Sequence, residues 1–193
     1  MTAGEINGDA LAISRSLDAP EAFAAIFDRH FAAVHRYLAR RAGRERADDL
    51  ASQTFVVAFE RRARFRLDAG DARPWLFGIA TRLLANERRS EQRVLESFGR
   101  LSGNARLGAV PSQSAPESER DLAAALAKLD PDQRDVLLLH AWCDLPYEEI
   151  ADALQIPVGT VRSRLSRARA SLQADLDPAP VAPRPLSKER EVS

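Results

Sequence analysis

Four arginines, Arg162, Arg164, Arg167 and Arg169, crowd into a stretch, residues 153–174, that holds no acid. Guanidinium groups at that density suit one chemistry: their planar forks grip phosphate oxygens and the paired acceptors of a guanine edge. A second set, Arg82, Asn86, Arg89 and Arg93, recurs at helical spacing beside Arg88, with Phe65, Arg73 and Trp75 not far upstream. A cationic track near flat rings suits unpaired nucleic acid, because arginines neutralise phosphates while each base stacked on a ring contributes roughly 1 to 3 kcal/mol. A third set, Asp48, Asp49, Gln53 and Phe55, lies in RADDLASQTFVVAFE. Its simplest role is electrostatic, since acids near a helix N-terminus offset the macrodipole. For the first two sets the bland alternatives are a solvated arginine face and rings buried in a core.

The elements that must position these residues are helical. In LPYEEIADALQIPVGTVRSRLSRAR, Tyr147, Ile150, Ala151 and Leu154 repeat at helical spacing, and Val161, Leu165, Ala168 and Leu172 make a second apolar stripe. Pro157 stops the first helix and Thr160 is the expected N-cap of the second, so the stretch reads as two short helices joined by a tight turn. The second turns its arginines outward, which is the pattern of a helix-turn-helix DNA reader. Upstream, Phe23, Ile26, Phe27, Phe31, Val34 and Leu38 keep a helical period, and Leu76, Ile79, Ala80, Leu83 and Leu84 form a core-facing stripe behind Pro74, which fits a first helical turn. Asp130 and Pro131 read as N-cap and first residue of another helix. No strand pattern is evident, so the expected class is all-α.

Composition narrows the function. With 28 basic and 28 acidic residues the chain is formally neutral, and its pI is near 6.9. That excludes a non-specific nucleic-acid coater and leaves binding to local patches. At 193 residues, 45% of them hydrophobic and 29% charged, two small domains with cores of their own are expected. Cys143 is the single cysteine, so neither an intramolecular disulfide nor a cysteine zinc site forms within one chain. His30 and His35 stand five apart without a matching carboxylate pattern and His140 is isolated, so solvated histidines are expected, with no metal and no cofactor. No apolar run is long enough for a membrane span and the N-terminus lacks a signal-peptide pattern, so a cytoplasmic protein without membrane insertion is expected.

Breaker residues divide the chain. SFGRLSGNARLGAVPSQSAPESER, residues 97–120, is rich in Gly, Ser and Pro and reads as a linker between helical units at 20–96 and 121–176. Residues 1–19 are expected to be flexible, and the Pro-rich stretch 177–193 to be disordered.

In that order the segments resemble an extracytoplasmic-function sigma factor of bacterial RNA polymerase. RADDLASQTFVVAFERR resembles the family's polymerase-binding helix, RPWLFGIATRLLANERR its minus-ten promoter helix, and the segment from Leu129 to Leu172 its minus-thirty-five module. The resemblance implies that Asp48, Asp49, Gln53 and Phe55 contact the clamp helices of core RNA polymerase. It implies that residues 65–73 cradle a flipped minus-ten base, with Phe65, Arg73, Trp75, Arg82, Asn86 and Arg89 facing the melted non-template strand. Thr160, Arg162, Ser163, Arg164, Ser166 and Arg167 match the recognition helix for duplex promoter DNA, and the linker matches a connector routed through the polymerase's active-site cleft. An anti-sigma factor is the implied regulator, and no catalysis is implied. Ser52 and Gln53 stand where the family often carries Gln and Glu, which removes one acidic contact. Gln155 stands where a glycine is common, so it must adopt a left-handed conformation or the turn must differ.

Two other classes compete. A stand-alone helix-turn-helix regulator with a helical ligand or dimerisation unit would leave the Arg82 to Arg93 track unexplained. An all-helical enzyme lacks a matching metal or catalytic constellation.

Overall fold

The computed structural model of the chain describes residues 8–98 and 117–176. Their elements are α1 (Gly8–Arg15), α2 (Ala24–Ala42), α3 (Arg44–Arg61), α4 (Arg73–Phe98), α5 (Glu117–Lys128), α6 (Pro131–Cys143), α7 (Tyr147–Leu154) and α8 (Val158–Leu176), with short 3-10 turns at Pro20–Phe23, Arg62–Arg64 and Leu67–Ala69. No strand occurs among the described residues, so the fold is all-α as expected. None of the described helices is long and apolar enough to cross a membrane.

Local chemistry accounts for the boundaries. Gly43 ends α2 at φ 87°, a conformation that strains any residue with a Cβ, and α3 begins at the next residue. Asp130 caps α6 by accepting from the backbone N–H of Asp132 and Gln133, with Pro131 in the first turn; such a cap contributes about 1 kcal/mol. Gln155 takes the left-handed conformation at φ 58° and closes α7, its N–H donating to Ala151 O. The N-cap expectation for Thr160 fails. Helix α8 already starts at Val158, because the Pro157 carbonyl accepts from both Thr160 and Val161 and so occupies the capping position itself.

Helices α2, α3 and α4 pack on one another around Ile26, Val34, Leu38, Ala51, Leu76 and Leu84, all nearly or fully excluded from water. Helices α6, α7 and α8 enclose Val136, Leu139, Leu145, Ile150, Val161 and Leu165 in the same way, with α5 laid on α8. The two halves are in contact: α7 packs on α4 and α6 touches α2, so buried residues of both form one continuous cluster.

The N-terminal stretch differs from the flexible segment expected over residues 1–19. Helix α1 buries Asp9, Ala10 and Ile13 against α2 and the turn at Leu67–Ala69. What holds it is a buried carboxylate rather than a long apolar stripe. Asp9 Oδ2 accepts from the Ala72 N–H at 3.1 Å and pairs with His30 Nε2 at 2.7 Å, while Arg29 takes Oδ1. His30 is therefore a buried partner, not the solvated histidine expected. Residues 1–7, most of the stretch read as a linker (99–116) and the tail 177–193 lie outside the described residues.

Candidate nucleic-acid and partner surfaces

Helix α8 buries Val161, Leu165 and Ala168 against the rest of the C-terminal half, which turns the intervening positions to water. Arg162, Ser163, Ser166, Arg167 and Arg169 are exposed, and Thr160 and Arg164 are half-buried. Arg164 reaches back to Asp132 at 2.5 Å, tying α8 to the start of α6, while Ser163 Oγ donates to the Thr160 carbonyl at 3.0 Å. The free cationic face is thus Arg162, Arg167 and Arg169, on a helix whose own N-terminal N–H groups favour a phosphate.

Of the second group, Phe65, Trp75 and Arg82 line a cavity of about 620 Å³. Phe65 and Trp75 stand side by side with ring centroids 5.1 Å apart, Phe65 buried and Trp75 half-buried. Arg61, Arg64, Arg66 and Arg82 line the same cavity; Arg66 falls in the 65–73 loop that the resemblance singles out, whereas Arg61 and Arg64 were missed because they precede both that loop and the helical track. Burial, and then the charge of Arg61, pull the Arg82 pKa below the usual arginine value. Asn86 and Arg89 are exposed one turn on and bond to each other at 2.6 Å. Arg73 is turned away from the track, its guanidinium donating to the Cys143 carbonyl. Arg88 is also structural: it donates to the Arg41 carbonyl at 3.1 Å, and burial together with the Arg41 and Arg134 charges pushes its pKa down to about 10. The far wall of the cavity belongs to the other half and includes Glu149, Asp152 and Ala153.

The third group splits. Asp48, Asp49 and Gln53 are exposed along α3, and Asp48 Oδ1 lies 2.8 Å from His35 Nε2. Phe55 is buried in an aromatic cluster, 5.0 Å from Phe27 and 5.9 Å from Phe31. The apolar surface offered to solvent comes from Phe27, 41% exposed, and Val56, 56% exposed. Sequence periodicity gave Phe27 only as one of the apolar residues that keep a helical period, and nothing singled out Val56.

Asp9, His30 and Asp71 bring oxygen and nitrogen atoms within 4.8 Å of one another, a spacing that metal ligands share. Both oxygens of Asp9 are already engaged by Arg29, His30 and the Ala72 N–H. Three bonds to a carboxylate favour its charged form, and despite burial they hold the Asp9 pKa below the ordinary carboxylate value. Nothing in this donor set calls for an ion.

Comparison with known proteins adds an independent line. Residues 26–94 match the family model described as Sigma-70 region 2, and residues 119–172 match Sigma-70, region 4. The chain is 34% identical over 130 residues to the ECF RNA polymerase sigma factor EcfG of Rhodopseudomonas palustris, spanning 67% of this chain and 71% of that protein. It is 31% identical over 159 residues to the ECF RNA polymerase sigma factor SigL of Mycobacterium tuberculosis, spanning 79% and 87%. Among solved structures, CnrH in complex with the cytosolic domain of CnrY superposes with a TM-score of 0.64 at 25% identity, covering 89% of this chain and 98% of that one.

Proposed function

Since the chain belongs to the extracytoplasmic-function sigma factors of RNA polymerase, we propose that it docks on core polymerase through α3 and the adjoining aromatic patch, reads an upstream duplex element with α8, and holds a melted strand along α4. Sigma factors regulate transcription initiation and are not enzymes in themselves, so binding energy does the work here. Unstacking and flipping a promoter base costs a few kcal/mol, on the order of what one or two stacks and charge-assisted bonds return. Phe65 and Trp75 supply the rings, and Arg61, Arg82, Asn86 and Arg89 the cationic and polar groups that follow the strand. Thr160, Ser163, Ser166 and the outward arginines of α8 take base edges and phosphates in the major groove.

The observation that carries this reading is the outward face of α8. Arg162, Arg167 and Arg169 lie in water opposite a fully buried Val161 and Leu165, as a helix entering a groove requires. In the domain assignment that goes with it, residues 20–96 bind polymerase and the minus-ten element and residues 121–176 bind the minus-thirty-five element. Residues 97–120 connect them through the active-site cleft, between terminal segments 1–19 and 177–193. The exposed patch of Phe27 and Val56 beside Asp49 and Gln53 suits core polymerase, and equally a protein that competes with it, an anti-sigma factor in the cytoplasm. CnrH, which shares this fold, was solved with a protein partner, the cytosolic domain of CnrY.

Run-off transcription on fragmented genomic DNA with purified core polymerase tests this reading. Specific start sites that require both core and this protein are the expected result. Duplex binding without polymerase and without new transcripts would instead establish a stand-alone regulator.

A further inference from the structure

Helix α7 sits on the surface of α4 that the proposed function assigns to melted promoter DNA. The approach is backbone to backbone: a Cβ built on Gly78 would meet the Ala153 carbonyl oxygen at 2.3 Å and its carbonyl carbon at 3.0 Å. Real Cβ atoms do not come that close, so only glycine permits this contact. Beside it Arg82 donates to the same Ala153 carbonyl at 2.8 Å, and Arg66 faces Asp152 at 3.7 Å. The partial negative charge at a helix C-terminus and an adjacent carboxylate thus meet cations that are otherwise free to hold phosphates. A second clasp lies nearby, where Arg41 pairs with Asp135 at 2.5 Å and Arg73 holds the Cys143 carbonyl.

We propose that the free protein is self-occluded: α7 of the C-terminal half occupies the α4 surface as a stand-in for nucleic acid, so that closure of the two halves and binding of the melted strand by Arg82 exclude one another. The inference rests on the reading of α4 as a strand-binding helix. Closure is moderated from within by Glu149, which enters the interface beside Asp71 and Asp152, with Arg73 the opposing charge. Burial, and then those two carboxylates, raise the Glu149 pKa above its ordinary value, so the ionised group opposes the contact it lines. Docking on polymerase separates the halves, because the two promoter elements lie at different places along the DNA.

Gly78→Ala isolates the device, since alanine favours a helix and adds only the methyl group that strikes Ala153. The probe is the full chain carrying spin labels at Ala32→Cys and Gln173→Cys, both exposed sites, in a Cys143→Ala background. Wild type should give a dominant short distance with a minor long one of about a tenth, Gly78→Ala a longer, broader distribution, and Glu149→Gln a smaller long-distance fraction. Affinity of the free protein for a mixed-sequence single-stranded 12-mer should rise roughly tenfold in Gly78→Ala, which corresponds to releasing a population about 90% closed. Glu149→Gln should shift both readouts the opposite way and tests the idea even if Gly78→Ala folds poorly. Distances that do not differ between wild type and either variant overturn the closure. Distances that lengthen without any gain in oligonucleotide affinity overturn instead the assignment of α4 to nucleic acid. With saturating core polymerase, wild type and Glu149→Gln should support equal transcription; a Glu149→Gln defect there would count against occlusion as the function of the contact.

Discussion

The guanidinium of Arg41 on α2 and the carboxylate of Asp135 on α6 stand 2.5 Å apart, with their side chains only 2% and 15% exposed. Arg41 also donates to Tyr37 Oη at 2.6 Å, and Tyr37 Oη lies 2.8 Å from Thr81 Oγ1, so one polar chain joins α2, α4 and α6. Burial alone would lower the Arg41 pKa, but Tyr37 and Asp135 outweigh it and raise it. Asp135→Ala therefore leaves an uncompensated cation and should cost about 3 to 5 kcal/mol in urea unfolding, whereas Arg41→Met with Asp135→Leu should cost far less, because a buried pair barely beats an apolar replacement. Equal losses for the single and double variants would show that the pair is not desolvated.

Asp9 fixes the entrance to α4, since its carboxylate accepts from the Ala72 N–H immediately before that helix. Its folded pKa lies below the ordinary value of 3.8, so its contribution is present above that pH and is lost as pH falls through the depressed value. Wild type should lose stability steeply below about pH 4 and Asp9→Asn should lose less over the same range. At neutral pH, Asp9→Ala should cost about 1 to 3 kcal/mol by orphaning a buried N–H, and should impair promoter opening more than polymerase binding, read by permanganate footprinting beside a core-binding assay.

Much of this molecule was legible beforehand because its signals are periodic. The stripes through Ile150 and Val161 and the cap at Asp130 follow from local spacing, and the left-handed end of α7 at Gln155 is one of the two outcomes that the family resemblance implied for a position where a glycine is common. The missed features are pairings across the chain. Asp9 and His30 meet because α1 folds back on α2, and neither residue advertises burial. Gly78 and Ala153 are small residues on separate helices, so their contact leaves no hydrophobic signature, although it decides what Arg82 touches. Phe27 shows the reverse case: its helical period says only that it lies on a helix with other apolar residues, and in the fold it forms the exposed edge of the aromatic cluster around Phe55.

Val56 is the most exposed large apolar side chain among those on α2 and α3, so its substitution separates binding from folding. Val56→Asp should leave the thermal midpoint nearly unchanged, since surface changes usually stay within about 0.5 kcal/mol. Affinity for core polymerase should fall at least about tenfold, the loss expected at the centre of an interface. A variant that keeps full affinity would move the docking surface away from α3.

Arg82→Ala with Asn86→Ala removes groups from the proposed strand-binding track but none from α3. Transcription from a duplex promoter should fall steeply while core binding stays intact, and a promoter with a pre-melted bubble should recover only part of the loss, because the missing groups hold the strand as well as open it. Arg82→Ala alone also removes the bond to the Ala153 carbonyl, so it should loosen the free protein while weakening the initiation complex.

The arginines of α8 sort by what they touch. Arg164 is engaged with Asp132, whereas Arg162 and Arg167 are exposed, so the two kinds should fail differently. If Arg162 or Arg167 reads a guanine edge, its alanine variant should lose about 1 to 3 kcal/mol on the preferred upstream element and relax sequence choice at one position. If it holds a phosphate, binding should weaken on every sequence alike and the salt slope should fall by about one. Arg164→Ala should change neither base preference nor salt slope much, and should instead loosen α8 against α6. Holoenzyme binding to a library of upstream elements at several salt concentrations distinguishes the three. An Arg162→Ala, Arg167→Ala double variant that binds every element as wild type does would remove α8 from the promoter interface.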